Sequence, residues 1–343
     1  MIHVTDIDVF RRMQGDALDL LALGPSECSY RTLGSGAHWR LRGYAAARPG
    51  PSLLIVAAPI KQPYIWDLAP WISAIRRCLE SGFRVFLLEW LPPQPKAPSA
   101  GLAVYAGQAI AEAAAMCVRE SGGAKPFLIG HSLGGTFAAI FAAMRPSAIR
   151  GLLLLSSPLC FAQGSSRFRD ALVAIAPSTI AMDVIPGSFL SQLSAIASPD
   201  TFIWSRLADA WLSSGDPKAL ELHARVERWS LDEVALSGQL LHETLQWLYR
   251  EDRFCQGTLQ INGEAARPSS LRVRMLAVVN TADDIAPRSS VLPALEQMPI
   301  GTFELLEHPG EIGVAFQHLT PLIGRLSHAL IWPKIFAWLV AQP

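Results

Sequence analysis

The sequence predicts an α/β fold, a mostly parallel central sheet with helices on both faces, interrupted by a helical insertion. Three observations predict it. Short continuous apolar runs recur at 52–59 (SLLIVAAP), 85–90 (VFLLEW), 126–130 (PFLIG) and 152–157 (LLLLSS). Runs of this length suit strands buried on both faces. Amphipathic stretches separate them, as βαβ units require. The alternation stops near 158 and resumes near 271, so an insert divides one α/β unit.

The elements follow in order. Residues 1–25 read as a helical leader ending at Gly24-Pro25. Ser29–Leu33 and Trp39–Tyr44 are modest strand candidates. After the run at 52–59 comes an amphipathic helix over Asp67–Glu80, stopped by Gly82. After 85–90, the Pro-rich segment 91–101 reads as a loop. A helix at 101–121 ends at Gly122-Gly123. The strand at 126–130 leads into a helix at 134–144. From 158 to 270 no comparable strand pattern is present. Helices and loops are expected there, with Phe161, Phe168, Phe189, Phe202, Trp204, Trp211, Trp229, Trp247, Tyr249 and Phe254 spread through them. The strand pattern resumes with VRMLAVVN (273–280), a helix around 289–297 and TFELLE (302–307). The tail 325–342 is helical, broken near Pro333. The expected organisation is a leader (1–25), a core (26–157 with 271–343) and a helical lid (158–270).

Half of the 343 residues are hydrophobic, 17% are charged, and Lys plus Arg balances Asp plus Glu at 29 each. The mean hydropathy is +0.27. A neutral chain has no electrostatic reason to seek nucleic acid or an anionic membrane. The pair Arg11-Arg12 and the arginines at 267, 272 and 274 read as solvated surface. The longest apolar stretch, 103–118, is interrupted by Gln and Glu and is too short to span a bilayer. No basic region followed by an apolar stretch opens the chain, so no signal peptide is expected. Five widely spaced cysteines, at 28, 78, 117, 160 and 255, form no metal-ligand spacing. They suit reduced, buried thiols in a cytoplasmic protein better than a disulfide framework. No metal or organic cofactor is expected, because no ligand set or GxGxxG is present.

Chemistry enters at Gly130-His131-Ser132-Leu133-Gly134, followed by Gly135. G-x-S-x-G alone is moderately specific. Here it joins a buried strand to an Ala-rich helix, the setting of a nucleophile elbow and hence of an α/β-hydrolase fold. The glycines allow the tight turn, and the N–H of Leu133, at the helix start, is aimed at a developing oxyanion. Without chemistry the same residues would be a tight turn only. A serine nucleophile needs a base and an orienting carboxylate, and in this fold the order is Ser, Asp or Glu, then His. Past the strand at 273–280, Asp283 and Asp284 are both available. Ile285 and Pro287 give a D-x-h-x-P pattern that favours Asp283, leaving Asp284 to solvent or a cap. After the last strand, His308 and His318 both fit the order. His328 lies in a helical pattern. His3, His38, His223 and His242 have the wrong order or lie in the insert. His131 is expected to shape the pocket.

Four stretches resemble the polyhydroxyalkanoate synthase and depolymerase branch of the α/β hydrolases, over most of 50–343. PIKQPYIWDL (59–68) is similar to a Tyr-Ile-x-Asp-Leu segment after the third strand of the synthases. VFLLEW is similar to their Val-Tyr-Leu-x-Asp-Trp strand, with Glu89 in place of Asp. Gly130–Gly135 sits at their nucleophile motif. QHLTPLIGRLSHALIWPKIFAWL (317–339) is similar to their last segment, in which the catalytic His precedes a Gly-containing turn and a Trp-Pro-x-Ile helix. The resemblance implies His318 as the base. PGEIGV (309–314) echoes a Gly-His-Ile-Gly stretch with Glu311 in place of His, but the downstream spacing fits His318. It also implies a second oxyanion donor at Ile60 or Lys61. The synthases carry Cys where this chain has Ser132, and Asn where it has Lys61.

The expected function is hydrolysis of an apolar acyl ester or thioester through a Ser132 acyl-enzyme, with the insert as a lid whose aromatics line an acyl pocket. Two other readings use the same residues differently. One is acyl transfer from a CoA or carrier thioester to a hydroxyl. The other is a non-catalytic hydrolase fold that binds a lipid or polyester surface. A small acyl substrate is expected as partner, with no nucleic acid and no membrane span.

Overall fold

Buried parallel strands need apolar side chains on both faces, and the run at 52–56 supplies them alternately. Leu54 and Val56 pack with Phe137 and Phe141 on one side of the sheet. Leu53 and Ile55 pack with Ile75, Trp332 and Leu339 on the other. The structure is a computed structural model that describes residues 4–45, 50–94 and 99–342. Parts of the expected leader (1–3) and Pro-rich loop (95–98) lie outside the described residues.

The strands are β1 (Tyr30–Ser35), β2 (Trp39–Tyr44), β3 (Ser52–Val56), β4 (Arg84–Trp90), β5 (Phe127–His131), β6 (Gly151–Leu155), β7 (Val184–Ile185), β8 (Leu236–Ser237), β9 (Leu259–Ile261), β10 (Glu264–Ala266), β11 (Met275–Asn280) and β12 (Phe303–His308). Eight form the central sheet, in the order β1-β2-β4-β3-β5-β6-β11-β12. β1, β2 and β4 pair antiparallel, and β4 through β12 pair parallel. This is the α/β-hydrolase architecture that the strand runs predict.

The helices are α1 (Val4–Asp19), α2 (Ala74–Glu80), α3 (Ala109–Glu120), α4 (Leu133–Met144), α5 (Arg167–Ile175), α6 (Gly187–Ala197), α7 (Ser205–Ser213), α8 (Pro217–Ser230), α9 (Gly238–Glu243), α10 (Leu292–Leu295), α11 (Thr320–Ile323) and α12 (Trp332–Ala341). The expected helix at 67–80 is shorter. A single turn covers Pro63–Asp67, and α2 starts only after Ser73, whose side chain accepts the Arg76 N–H. Pro70 cannot carry a continuous helix from Asp67, because it lacks a donor and biases Ala69 to extended backbone. Asp67 instead turns inward and accepts from Cys28 N–H and, at 2.5 Å, from Ser73 Oγ. The expected helix at 289–297 is likewise reduced to one turn and α10. The tail is not broken at Pro333: the helix runs on from a π turn over Ser327–Ile331 into α12, and the irregular, wider turn just before Pro333 accommodates the residue that lacks an N–H.

Between β6 and β11 the chain leaves the sheet and forms α5 to α9 with two small antiparallel pairs, β7/β8 and β9/β10. These strands of two or three residues are too short to leave an apolar run in the sequence. α1 packs on this segment: Arg228 is bonded to Asp19 at 2.7 and 2.8 Å, and Arg11 reaches Ser230 O at 2.8 Å. Cys160 and Cys255 form a disulfide, 95 residues apart. This corrects the expectation of five reduced thiols; Cys28, Cys78 and Cys117 remain free. The two partners come from opposite ends of the segment and meet only through the fold, so their spacing carries no signal. No helix among the described residues is long and apolar enough to cross a membrane.

Candidate active site

The strand–turn–helix at 127–144 is built as the glycines demand. Ser132 sits between β5 and α4 at φ 54°, ψ −136°, a left-handed conformation rarely taken by a side-chain-bearing residue. A Cβ at Gly130 would overlap Gly135, one at Gly134 the backbone of Val56 and Ala57, and one at Gly135 the side chain of Ser157. The turn therefore packs directly on the neighbouring strands, and Ser132 projects at the carboxyl end of β5. Leu133 is the first residue of α4, so its N–H has no intrahelical acceptor.

Asp283 lies on the loop after β11 and is 3% exposed. Its Oδ1 accepts the N–H groups of Ile285 (2.8 Å) and Ala286 (3.1 Å). Its Oδ2 accepts from His318 Nδ1 at 2.7 Å. Burial alone would raise the carboxyl pKa. The His318 charge and hydrogen bond, with the two amides, outweigh it and hold the group below its ordinary value. Asp284 is exposed, and its carbonyl accepts from Ser166 Oγ at 2.8 Å. The two neighbouring aspartates thus have opposite environments.

His318 stands in a single turn between the loop after β12 and α11. With Nδ1 on Asp283, its buried Nε2 has no hydrogen-bond partner. Ser132 and His318 line the same cavity, of about 360 Å³. No bond between the Ser132 hydroxyl and Nε2 is formed in this structure. His308 ends β12, bonds Pro309 O at 2.9 Å through Nδ1, and is not among the cavity residues. Glu311 accepts from Leu326 and Ser327 N–H, at 2.9 and 3.2 Å, at the start of the C-terminal helical turn. The His131 ring packs against that of His318 at a tilt of 50°, with centroids 4.7 Å apart, and bonds the His318 carbonyl at 2.8 Å through Nε2. A carbonyl only accepts, so Nε2 carries the proton.

Ile60 and Lys61 follow β3 and line the cavity. The Ile60 carbonyl accepts from Val234 N at 3.2 Å, and Gln62 N donates to Asp232 O at 3.2 Å. Lys61 Nζ bonds Ser191 Oγ (2.9 Å), Glu233 Oε1 (3.0 Å) and Ser230 O. Burial lowers its pKa to about 8, with Glu233 pulling the other way. Arg11 Nε also holds Glu233, at 3.0 Å. Sequence reading missed Ser191, Arg206 and Glu233, and its reading of Arg11 as solvated surface is corrected, since Arg11 is half-buried and lines the cavity. They come from separate segments and share no local pattern. Of the aromatics in 158–270, Phe168, Phe202, Trp229 and Tyr249 line the cavity. Phe161 and Phe254 are buried core, whereas Trp204 and Trp211 are exposed.

The arrangement offers a hydroxyl on a strained turn, an oriented imidazole with a free nitrogen, and a largely apolar cavity. All stand at the carboxyl ends of β3, β5, β11 and β12, where open α/β sheets bind ligands. A family model for the alpha/beta hydrolase fold matches residues 63–207. The fold is that of the α/β hydrolases. In sequence the chain is similar to the poly(3-hydroxyalkanoate) polymerase subunit PhaC of Haloferax mediterranei, 26% identical over 292 residues, which are 83% of this chain and 58% of that protein. PhaC of Allochromatium vinosum is 25% identical over 296 residues, 83% of this chain and 82% of that one. The chain thus spans less than two thirds of the first relative and about four fifths of the second. The solved monoacylglycerol lipase of Paleococcus ferrophilus shares the fold, with a TM-score of 0.53 and 18% identity over 89% of this chain and 99% of that one.

Proposed function

We propose that the chain hydrolyses an apolar acyl ester or thioester through an acyl-enzyme on Ser132. The observation that carries this reading is the Asp283–His318 pair, bonded at 2.7 Å, whose unpartnered Nε2 shares a cavity with Ser132. His318 Nε2 takes the Ser132 proton as Oγ attacks the acyl carbon. The N–H groups of Leu133 and Ile60 bind the oxyanion. The C–O or C–S bond then breaks, His318 returns the proton to the leaving group, and the acyl group stays on Oγ as an ester. Water, deprotonated by His318, releases the acid and restores the serine. The Ser–His contact tightens in the substrate complex, as is common in sites of this kind. Asp283 fixes the Nδ1–H tautomer of His318 and offsets its developing charge. The insert covers the site as a lid, and its cavity-facing apolar side chains receive the acyl chain.

Similarity to polymerase subunits over 83% of the chain favours a second reading, in which a hydroxyl replaces water as acceptor. The same three side chains serve both. Ser132 in place of the Cys of the synthases makes the intermediate an oxygen ester, which water commonly resolves. Turnover of short acyl p-nitrophenyl esters and acyl-CoA thioesters is expected, falling at least about 10³-fold in Ser132→Ala. Product analysis with added alcohol separates free acid from new ester. Retained turnover in Ser132→Ala would sink the nucleophile assignment.

A further inference from the structure

A second buried Asp–His pair lies outside the cavity, and it grips the loop that carries His318. Asp209, on α7, is 6% exposed. Its Oδ2 is bonded to His223 Nδ1, on α8, at 2.7 Å. Its Oδ1 accepts the Gly313 N–H at 2.8 Å, and Oδ2 accepts the Ala315 N–H at 3.0 Å. Both loop residues have left-handed backbone, Gly313 at φ 84° and Ala315 at φ 56°. Glycine takes that conformation freely; alanine takes it only where its surroundings enforce it. One carboxylate satisfies both amides of this turn, which no strand or helix partner would satisfy. The grip continues over the next residue. Arg206, held by Glu227, stacks over the Phe316 ring at 4.9 Å. Phe202 packs on the same ring, with centroids 5.7 Å apart. His318 follows two residues later.

We propose that Asp209, contributed by the inserted segment, is a positioning residue that sets the 313–316 turn and through it aims His318. The proposal rests on the reading of His318 as the base. It makes the segment between β6 and β11 part of the machinery: α7 and α8 hold the base loop as the β-bridge between Lys61 and Glu233 holds the loop after β3. Opening that separates α7 from the 313–316 turn would disarm the site.

The test is a double-mutant cycle between Asp209→Asn and His318→Ala, read by ester turnover and by the rate of fluorophosphonate labelling. Asn keeps one acceptor but cannot accept the second amide with its NH₂. In the parent background Asp209→Asn should lower kcat about 10- to 100-fold with little change in KM, the scale of a slightly misaimed catalytic group. In the His318→Ala background it should change the residual rates less than about twofold, because nothing is left to aim. A kcat within about twofold of the parent overturns the proposal. So does an equal loss in both backgrounds, which is what a purely structural role would give. His318→Ala with parental activity would instead strike the base assignment. If Asp209→Asn yields no folded protein, Ala315→Gly takes its place, since glycine accepts the positive φ while loosening the turn. The same cycle then decides, with a several-fold fall in kcat expected in the parent background alone and unchanged kcat contradicting the proposal.

Discussion

His131 and His318 are neighbours with tilted rings and different hydrogen-bond partners. His131 is buried, and burial first, then the His318 charge, holds its pKa down to about 3. It is neutral through the working range and serves as a donor to the His318 carbonyl. His328 is held down to about 4 by burial and by the nearby Arg77; its Nδ1 accepts from Arg77 Nε at 3.2 Å and its Nε2 donates to Leu322 O at 2.6 Å. Both folded values lie below the ordinary 6.5, so the unfolded chain binds more protons below that pH. Stability is therefore full above about pH 6.5 and is lost as pH falls towards the folded values. The loss is about 1.4 kcal/mol per pH unit for each histidine, or roughly 2 kcal/mol each at pH 5. The urea midpoint should fall steadily from pH 7 to pH 4.5. His328→Gln, which keeps both hydrogen bonds, should flatten the slope. A midpoint independent of pH over that range would contradict the neutral assignments.

At the scale of elements, what sequence reveals depends on how local the constraint is. Gly130, Gly134 and Gly135 are legible because each meets a neighbouring backbone or side chain that tolerates no Cβ. β3, β4, β5, β6 and β11 are legible because burial on both faces demands continuous apolar runs. Asp283 is legible from chain order and its Ile285–Pro287 context. His318 is not separable from His308 on order alone; the resemblance in 317–339 points to it, and Asp283 is bonded to it rather than to His308. Asp209, Glu233 and Arg11 leave no trace, because their partners are brought by distant segments. The same holds for Cys160 and Cys255. Thiol titration of the denatured, unreduced chain should find three thiols, and five after reduction. Five before reduction would contradict the pairing. A disulfide is uncommon in the reducing cytosol, so cysteine usage no longer supports a cytoplasmic location.

On the scale of the whole molecule, the sheet collects Ile60, Ser132, Asp283 and His318 at one edge, and the segment between β6 and β11 roofs them. That roof is tied down on two sides, by the Ile60–Val234 and Gln62–Asp232 backbone bonds and by Asp209 on the Gly313 and Ala315 amides. Four of its aromatic side chains, Phe168, Phe202, Trp229 and Tyr249, close an apolar space over the serine. An apolar acyl group suits such a cavity, and a neutral chain supplies no long-range field to steer a highly charged ligand. The proposed activity requires Ser132 to be an activated nucleophile with His318 as its base. Treatment of the purified protein with a fluorophosphonate, followed by mass-spectrometric mapping, tests it most directly. A single adduct on Ser132, slowed at least about 100-fold in His318→Ala, is the expected result. An adduct elsewhere, or labelling of Ser132 at an undiminished rate without His318, would contradict it.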